Sequence, residues 1–171
     1  MLARRWAAGQ LWVVNAFAVL AGLVIIVGIV LVVVDVVMRA AGLRPPHFTV
    51  AFVEYILLYF ALLSAPYLVR HKGHVLTDML VQRLPTGLRR VLEKLVYLLC
   101  IAIALVFMKV GASLFIEAIE LGYMDERSVD IPYGFLYALF PPCFLLIALE
   151  FGRYLLGADS LYERELQLDS A

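Results

Sequence analysis

Five ionisable side chains, Asp35, Arg39, Glu54, Lys109 and Glu117, fall inside or at the margins of long apolar runs. A bilayer makes such groups expensive, so they are the first candidates for ion handling, proton relay or subunit contact. Depth separates these chemistries, because a relay needs a carboxylate near the middle of a span. Lys109 lies 20 residues beyond Arg89, and at about 1.5 Å of rise per residue that carries it about 30 Å along its helix, to the far interface. Asp35 and Arg39 close the first apolar run and Glu54 opens the second, so all five groups belong at one level, the outer one. Asp35 and Arg39 are spaced i,i+4 and can pair along one helix face. Two readings stay open: a belt of ion pairs and snorkelling side chains, or interhelical pairs that fix helix register or dock a partner. A proton or ion relay has no carboxylate at the midplane to rest on.

The remaining reactive residue types are sparse. His47, His71 and His74 all fall in loops or at helix ends, where membrane haem or quinone sites are not built; His71, His74 and Asp78 read as basic and polar interfacial residues, not a metal site. Cys100 and Cys143 sit in apolar runs and behave as small buried apolar groups. No serine–histidine–acid set, phosphate-cradling glycine loop or carboxylate pair in a cleft is present, so the sequence reads as non-enzymatic, with neither cofactor nor metal site of its own. Zero formal net charge gives no field to recruit nucleic acid.

The elements that carry these residues follow from composition. The chain is 64% hydrophobic and 16% charged, against about 25% charged in an ordinary soluble domain. Leu11 to Val34 contains no charge; its 24 residues reach about 36 Å, enough to cross a hydrocarbon core of about 30 Å. That run is too long for the apolar part of a signal peptide and no small-residue cleavage site follows, so it is read as a retained anchor. The reading is all-α: a single membrane domain of four transmembrane helices over about 11–40, 48–69, 88–117 and 131–156. A short amphipathic interfacial helix is expected over about 74–84, where Val75, Leu76, Met79, Leu80 and Leu84 recur at helical spacing. Gly42, Pro45 and Pro46 end the first helix region, and Pro66 falls in the last turns of the second. Pro141-Pro142 removes two helix donors from the fourth span and strands upstream carbonyls, which in lipid need partners from neighbouring helices; a kink or break is expected there. Ala18 and Gly22 form one small-xxx-small pair that permits close helix contact.

Basic residues set the orientation. Arg4, Arg5, Arg70, Lys72, Arg83, Arg89, Arg90, Lys94, Arg153 and Arg164 fall on one side, against Arg39, Arg44, Lys109 and Arg127 on the other. Positive-inside bias therefore places both termini and the middle loop in the cytoplasm. The outer loop carrying Glu117, Glu120, Asp125, Glu126 and Asp130 is acidic.

Glu54-Tyr55, then Arg70-His71-Lys72-Gly73-His74-Val75-Leu76-Thr77-Asp78-Met79-Leu80, then Leu84-Pro85 and Arg89-Arg90, with Asp35 and Arg39 ending the first span and Ile131-Pro132 opening the fourth, resemble the small membrane subunit of tripartite ATP-independent periplasmic (TRAP) transporters, the DctQ-like family. The resemblance covers nearly the whole chain. It implies the bacterial inner membrane and a sodium-driven, binding-protein-dependent secondary transporter that imports a small organic acid such as a carboxylate. It implies two partners: a large DctM-like membrane subunit, which holds substrate and sodium ions and moves elevator-fashion, and a soluble DctP-like periplasmic substrate-binding protein. The small subunit braces the static scaffold. On that reading Arg70, Lys72, Gly73, His74 and Asp78 form the family's cytoplasmic segment. Asp35, Arg39, Glu54 and Lys109 are candidates for the interface with the large subunit or for structural ion pairs, and Glu120, Asp125 and Glu126 for contact with the periplasmic protein. A stand-alone four-helix multidrug-type transporter is the main alternative, disfavoured because the first helix is uncharged until Asp35. A membrane redox subunit and an assembly subunit without transport are the others.

Overall fold

A computed structural model describes residues 2–71, 86–125 and 130–156. Helix α1 (Leu2–Ala40) runs into α2 (Thr49–Arg70) through a short turn; α3 (Thr86–Leu121) follows. A two-residue ladder, β1 (Met124–Asp125) with β2 (Ile131–Pro132), then leads into α4 (Tyr133–Ala138) and α5 (Phe140–Leu155). Among the described residues, four stretches are long and apolar enough to cross a membrane: Gly9–Ala40, Thr49–Arg70, Val91–Leu121, and Tyr133–Leu155, which spans α4 and α5.

Local chemistry explains the boundaries. At the end of α1, Gly42 takes φ +74°, a left-handed conformation glycine adopts without penalty. Its N–H bonds Arg39 O at 3.1 Å and the Leu43 N–H bonds Met38 O at 2.9 Å, the paired bonds that satisfy a helix's last carbonyls. Pro66 stays inside α2 and is buried. The expected break in the fourth span is present: α4 ends at Ala138, Leu139 interrupts, and Pro141 and Pro142 occupy the first turn of α5, where the missing N–H groups would have had no helical acceptor. The Leu139 N–H turns to Tyr137 O and not to Phe135 O. Phe135 O, stranded by the break, accepts the Tyr59 hydroxyl of α2. The proline-induced deficit is thus met by a neighbouring span.

The helices form an open row. α1 packs on α2, α2 on α5, and both α4 and α5 on α3; the fourth span therefore sits between the second and third, leaving α1 and α3 at the margins. α1 meets α2 along a seven-residue repeat, with Val14, Ala21 and Gly28 buried and Phe17, Val24 and Leu31 half-buried between them. This spacing keeps one stripe against a partner helix at a shallow crossing. A Cβ at Gly28 would stand 2.7 Å from Ile56 Cγ2, so the contact is backbone-close. One core joins Ala21, Leu62, Leu63 and Cys143. On the far side Phe107 stacks on Phe144 at 5.1 Å, and a Cβ at Gly111 would stand 2.5 Å from that of Phe140. The outward faces of α1 (Leu23, Ile26, Val30, Val37) and α3 (Leu98, Val106) are exposed in the isolated chain.

Two features depart from the sequence reading. The connection between α3 and α4 contains the antiparallel pairs Met124↔Pro132 and Asp125↔Ile131, a small ladder between residues expected as loop and residues expected to open the fourth span. α1 and α3 also extend beyond their expected limits, to Leu2 and Leu121. The interfacial helix expected over about 74–84 lies outside the described residues.

Candidate functional site

The most developed polar arrangement is where α2 and α5 end together. Glu150 projects from α5 on the same face as Cys143, Ile147, Phe151 and Tyr154, the face turned into the protein. Its side chain is 0% exposed. Each carboxylate oxygen accepts one guanidinium N–H: Oε1 from Arg70 Nη1 at 2.8 Å and Oε2 from Arg153 Nη1 at 2.7 Å. Arg70 is the last residue of α2, so this pair ties two spans, whereas Arg153 is one turn along the same helix. Arg70 and Arg153 retain 12% and 24% exposure. The Tyr154 hydroxyl donates into the same corner, shared between Val69 O at 2.9 Å and Arg70 O at 3.0 Å. Those are carbonyls of the last turn of α2, where the run of helical bonds ends. Tyr97 of α3 packs on Phe151 and Tyr154, with ring centroids 6.4 and 5.8 Å away. Val69, Tyr97, Phe151 and Tyr154 are buried together, and this dry surround strengthens each charge-assisted bond.

At the other end of α2, Tyr55 and Tyr59, one turn apart, face the fourth region. The Tyr55 hydroxyl donates to Asp125 Oδ2 and the Tyr59 hydroxyl to Phe135 O. A cleft of about 390 Å³ lies here between α2, the ladder and α4, walled by Phe52, Ile56, Phe135 and Leu136, with Asp125 and Asp130 on its lining.

The candidates from the sequence separate accordingly. Asp35 and Arg39 form the anticipated i,i+4 pair, Nε–Oδ2 2.7 Å with a second contact of 3.4 Å, within α1. Asp35 is on the α2-facing stripe while Arg39 is exposed. Glu54 is exposed on α2 and Lys109 on α3. Because α1 and α3 are opposite margins of the row, these four do not converge into one site. Arg70 does reach a site, through Glu150. Lys72, Gly73, His74 and Asp78 lie outside the described residues, as does Glu126. His71 stacks on Tyr67 at 3.9 Å, its Nδ1 3.1 Å from Tyr67 O. Glu120 is exposed, whereas Asp125, expected to face outward, is 6% exposed and turned to Tyr55. The ladder that pairs Asp125 with Ile131 folds the residue back over α2.

Glu150 was missed. The sequence reading took the end of the fourth span as a boundary and Arg153 as a topology charge. The available signal was periodicity: Cys143, Ile147, Glu150 and Tyr154 share one seven-residue repeat, so the carboxylate belongs to an inward face and requires a cation.

Chemically the corner is a saturated clamp. Both oxygens of its acid are occupied by guanidinium donors of the chain itself. Comparison with known proteins agrees with the architecture. No curated protein and no solved structure gives a match. The family model described as "Tripartite ATP-independent periplasmic transporters, DctQ component" matches residues 28–159, a stretch that contains the four-span row from the middle of α1, both ties of α2 and the Glu150 clamp. With most of its length matched, this multi-pass membrane chain belongs to the DctQ family, the small membrane component of TRAP transporters.

Proposed function

We propose that this chain is the non-catalytic scaffold subunit of a sodium-driven TRAP transporter that imports a small organic acid such as a carboxylate. It sits in the bacterial inner membrane with both termini cytoplasmic. The observation that carries the reading is that the one fully buried carboxylate among the described residues is spent on two arginines of the chain itself. A subunit that gripped cargo or ions would keep such a group for them. The open row supports the same reading, because α1 and α3 expose apolar faces on opposite margins. Lipid covers one margin and a DctM-like large subunit the other, with sodium and solute held in that partner. A DctP-like binding protein approaches from the outer side, where Glu120 is exposed.

The test is reconstitution. The chain is co-expressed with candidate large subunits, purified, and assayed in liposomes for sodium-dependent uptake in the presence of the binding protein. Uptake is expected with both membrane subunits together and not with this chain alone. Uptake by this chain alone defeats the scaffold assignment and favours a stand-alone transporter. Photo-crosslinking from position 120 to the binding protein tests the outer contact, and absence of any adduct there defeats it.

A further inference from the structure

The Glu150 clamp is unbalanced: one carboxylate faces two guanidiniums. Among the described residues, Glu150 is the single acidic partner of both Arg70 and Arg153. Each arginine spends one N–H group on it, and a guanidinium carries five. These three side chains together keep one net positive charge, and each arginine retains N–H donors beyond the one it gives to Glu150. Neither side chain is sealed off, with 12% and 24% exposure. Both residues sit at the ends of their spans, Arg70 closing α2 and Arg153 in the last turn of α5, which is headgroup depth. The carbonyl ends of α2 and α5 both lie at this corner and offset part of that charge, and the Tyr154 hydroxyl caps two of the α2 carbonyls.

We infer that the Arg70–Glu150–Arg153 corner is a binding site for the phosphodiester of an anionic phospholipid, one whose headgroup carries no compensating ammonium. A guanidinium fork matches two phosphate oxygens, and basic corners between spans at the membrane surface are suited to anionic headgroups. Glu150 takes one N–H from each arginine, offsets one of their two charges, and does not touch the lipid. The acyl chains then lie along the apolar surface beside α5, where Leu145 and Leu149 are exposed. Free phosphate offers the same oxygens without that apolar anchorage. The inference depends on the membrane depth of the corner and is independent of which side is cytoplasmic and of any role in transport.

The test is native mass spectrometry of the full chain in mild detergent with phosphatidylglycerol and phosphatidylcholine in equal amounts, with far-UV circular dichroism on every variant. Wild type is expected to retain phosphatidylglycerol preferentially, by about fivefold, the factor for one basic side chain at an anionic surface. Arg153→Gln leaves the Arg70–Glu150 tie in place and is expected to bring the preference close to one. Arg153→Lys keeps the charge and is expected to keep most of it. Glu150→Gln raises the local charge and is expected to increase the preference, the opposite of what lost structure would do. Equal retention of the two lipids by wild type, or an unchanged preference in Arg153→Gln, overturns the inference. Inorganic phosphate in excess is expected not to displace the lipid; displacement at modest phosphate assigns the site to the free ion and overturns the lipid claim.

Discussion

Replacing Glu150 by glutamine changes one atom's identity and removes one charge, and the structure sets the size of the effect. The side chain has no exposure, and its two oxygens receive charge-assisted bonds of 2.8 and 2.7 Å from different arginines. A glutamine fits the same space but offers one acceptor and one donor group. One arginine keeps a bond to the amide oxygen, weaker than one to a carboxylate; the other meets an N–H. Breaking a buried pair by removing one partner costs about 3–5 kcal/mol, chiefly because the surviving charge is left unmet. Arg70 and Arg153 retain a little exposure and can turn partly toward water or headgroups, which places the expected loss near the lower limit, about 3 kcal/mol, or about a hundredfold in the unfolding equilibrium. The assay is reversible unfolding of the purified chain in mixed micelles, followed by far-UV circular dichroism as the fraction of denaturing detergent rises. A companion triple variant, Arg70→Met with Glu150→Met and Arg153→Met, removes every charge at once and is expected to match or exceed wild type, since well-packed apolar groups commonly replace a buried ion cluster without loss. A Glu150→Gln protein within about 0.5 kcal/mol of wild type, the range of an ordinary surface change, would refute the reasoning that this carboxylate holds α2 to α5.

Other substitutions probe the remaining ties. Tyr59→Phe strands the Phe135 carbonyl beside the broken fourth span and is expected to lower stability by about 1–3 kcal/mol in the same assay. Tyr154→Phe removes the hydroxyl shared by Val69 O and Arg70 O, with an expected loss of about 1 kcal/mol. Gly111→Ala sets two effects against each other: helix propensity favours alanine by about 0.8–1.0 kcal/mol, while the new Cβ would stand 2.5 Å from Phe140 Cβ, on stiff backbone-proximal atoms. Overpacking of this kind costs about 1–3 kcal/mol, so a net loss is expected, and a stabilised protein would show that α3 and α5 separate easily. Gly122→Ala forces alanine to φ +63° at the end of α3 and is expected to destabilise the turn into the ladder, read as a lower midpoint in the same titration.

The architecture was legible because its signals are long. A charge-free run such as Leu11–Val34 has few alternatives to a membrane span, and the Pro141-Pro142 pair announced a break that the backbone realises at Leu139. The i,i+4 pair of Asp35 and Arg39 was equally visible, because both members belong to one helix and sequence spacing fixes their geometry. What stayed hidden depends on tertiary neighbours. Arg70 and Glu150 are 80 positions apart, and no periodicity in either helix names the other. Asp125 carried the right charge for an outward acidic loop, yet a two-residue ladder turns it onto Tyr55. The ladder itself is too short for strand patterning to reveal. The order of the row, with the fourth span inserted between the second and third, follows from packing complementarity such as Gly111 against Phe140, a match that exists only once both helices are placed.

The placement of the polar contacts bears on the scaffold role proposed above. α2 is tied to the fourth region at both ends: by Tyr55 and Tyr59 at one, and by Val69 and Arg70 at the other. From Tyr55 to Arg70 is about 22 Å of helix, most of a hydrocarbon core. A single tie would leave α2 free to pivot about it. Two ties separated by that distance block both tilt and axial slide, since either motion must break a tyrosine bond at one end or the Glu150 pair at the other. The broken fourth span is the natural hinge of the molecule, because Leu139 interrupts its hydrogen-bond ladder, and the Tyr59 bond to Phe135 O fastens α2 to the short segment before the break while Glu150 fastens α2 to the long segment after it. α2 therefore splints the hinge. On the scaffold role proposed above, a moving partner would work against this row without bending it, and loosening either tie should weaken that support before it touches any site where solute or ion is held.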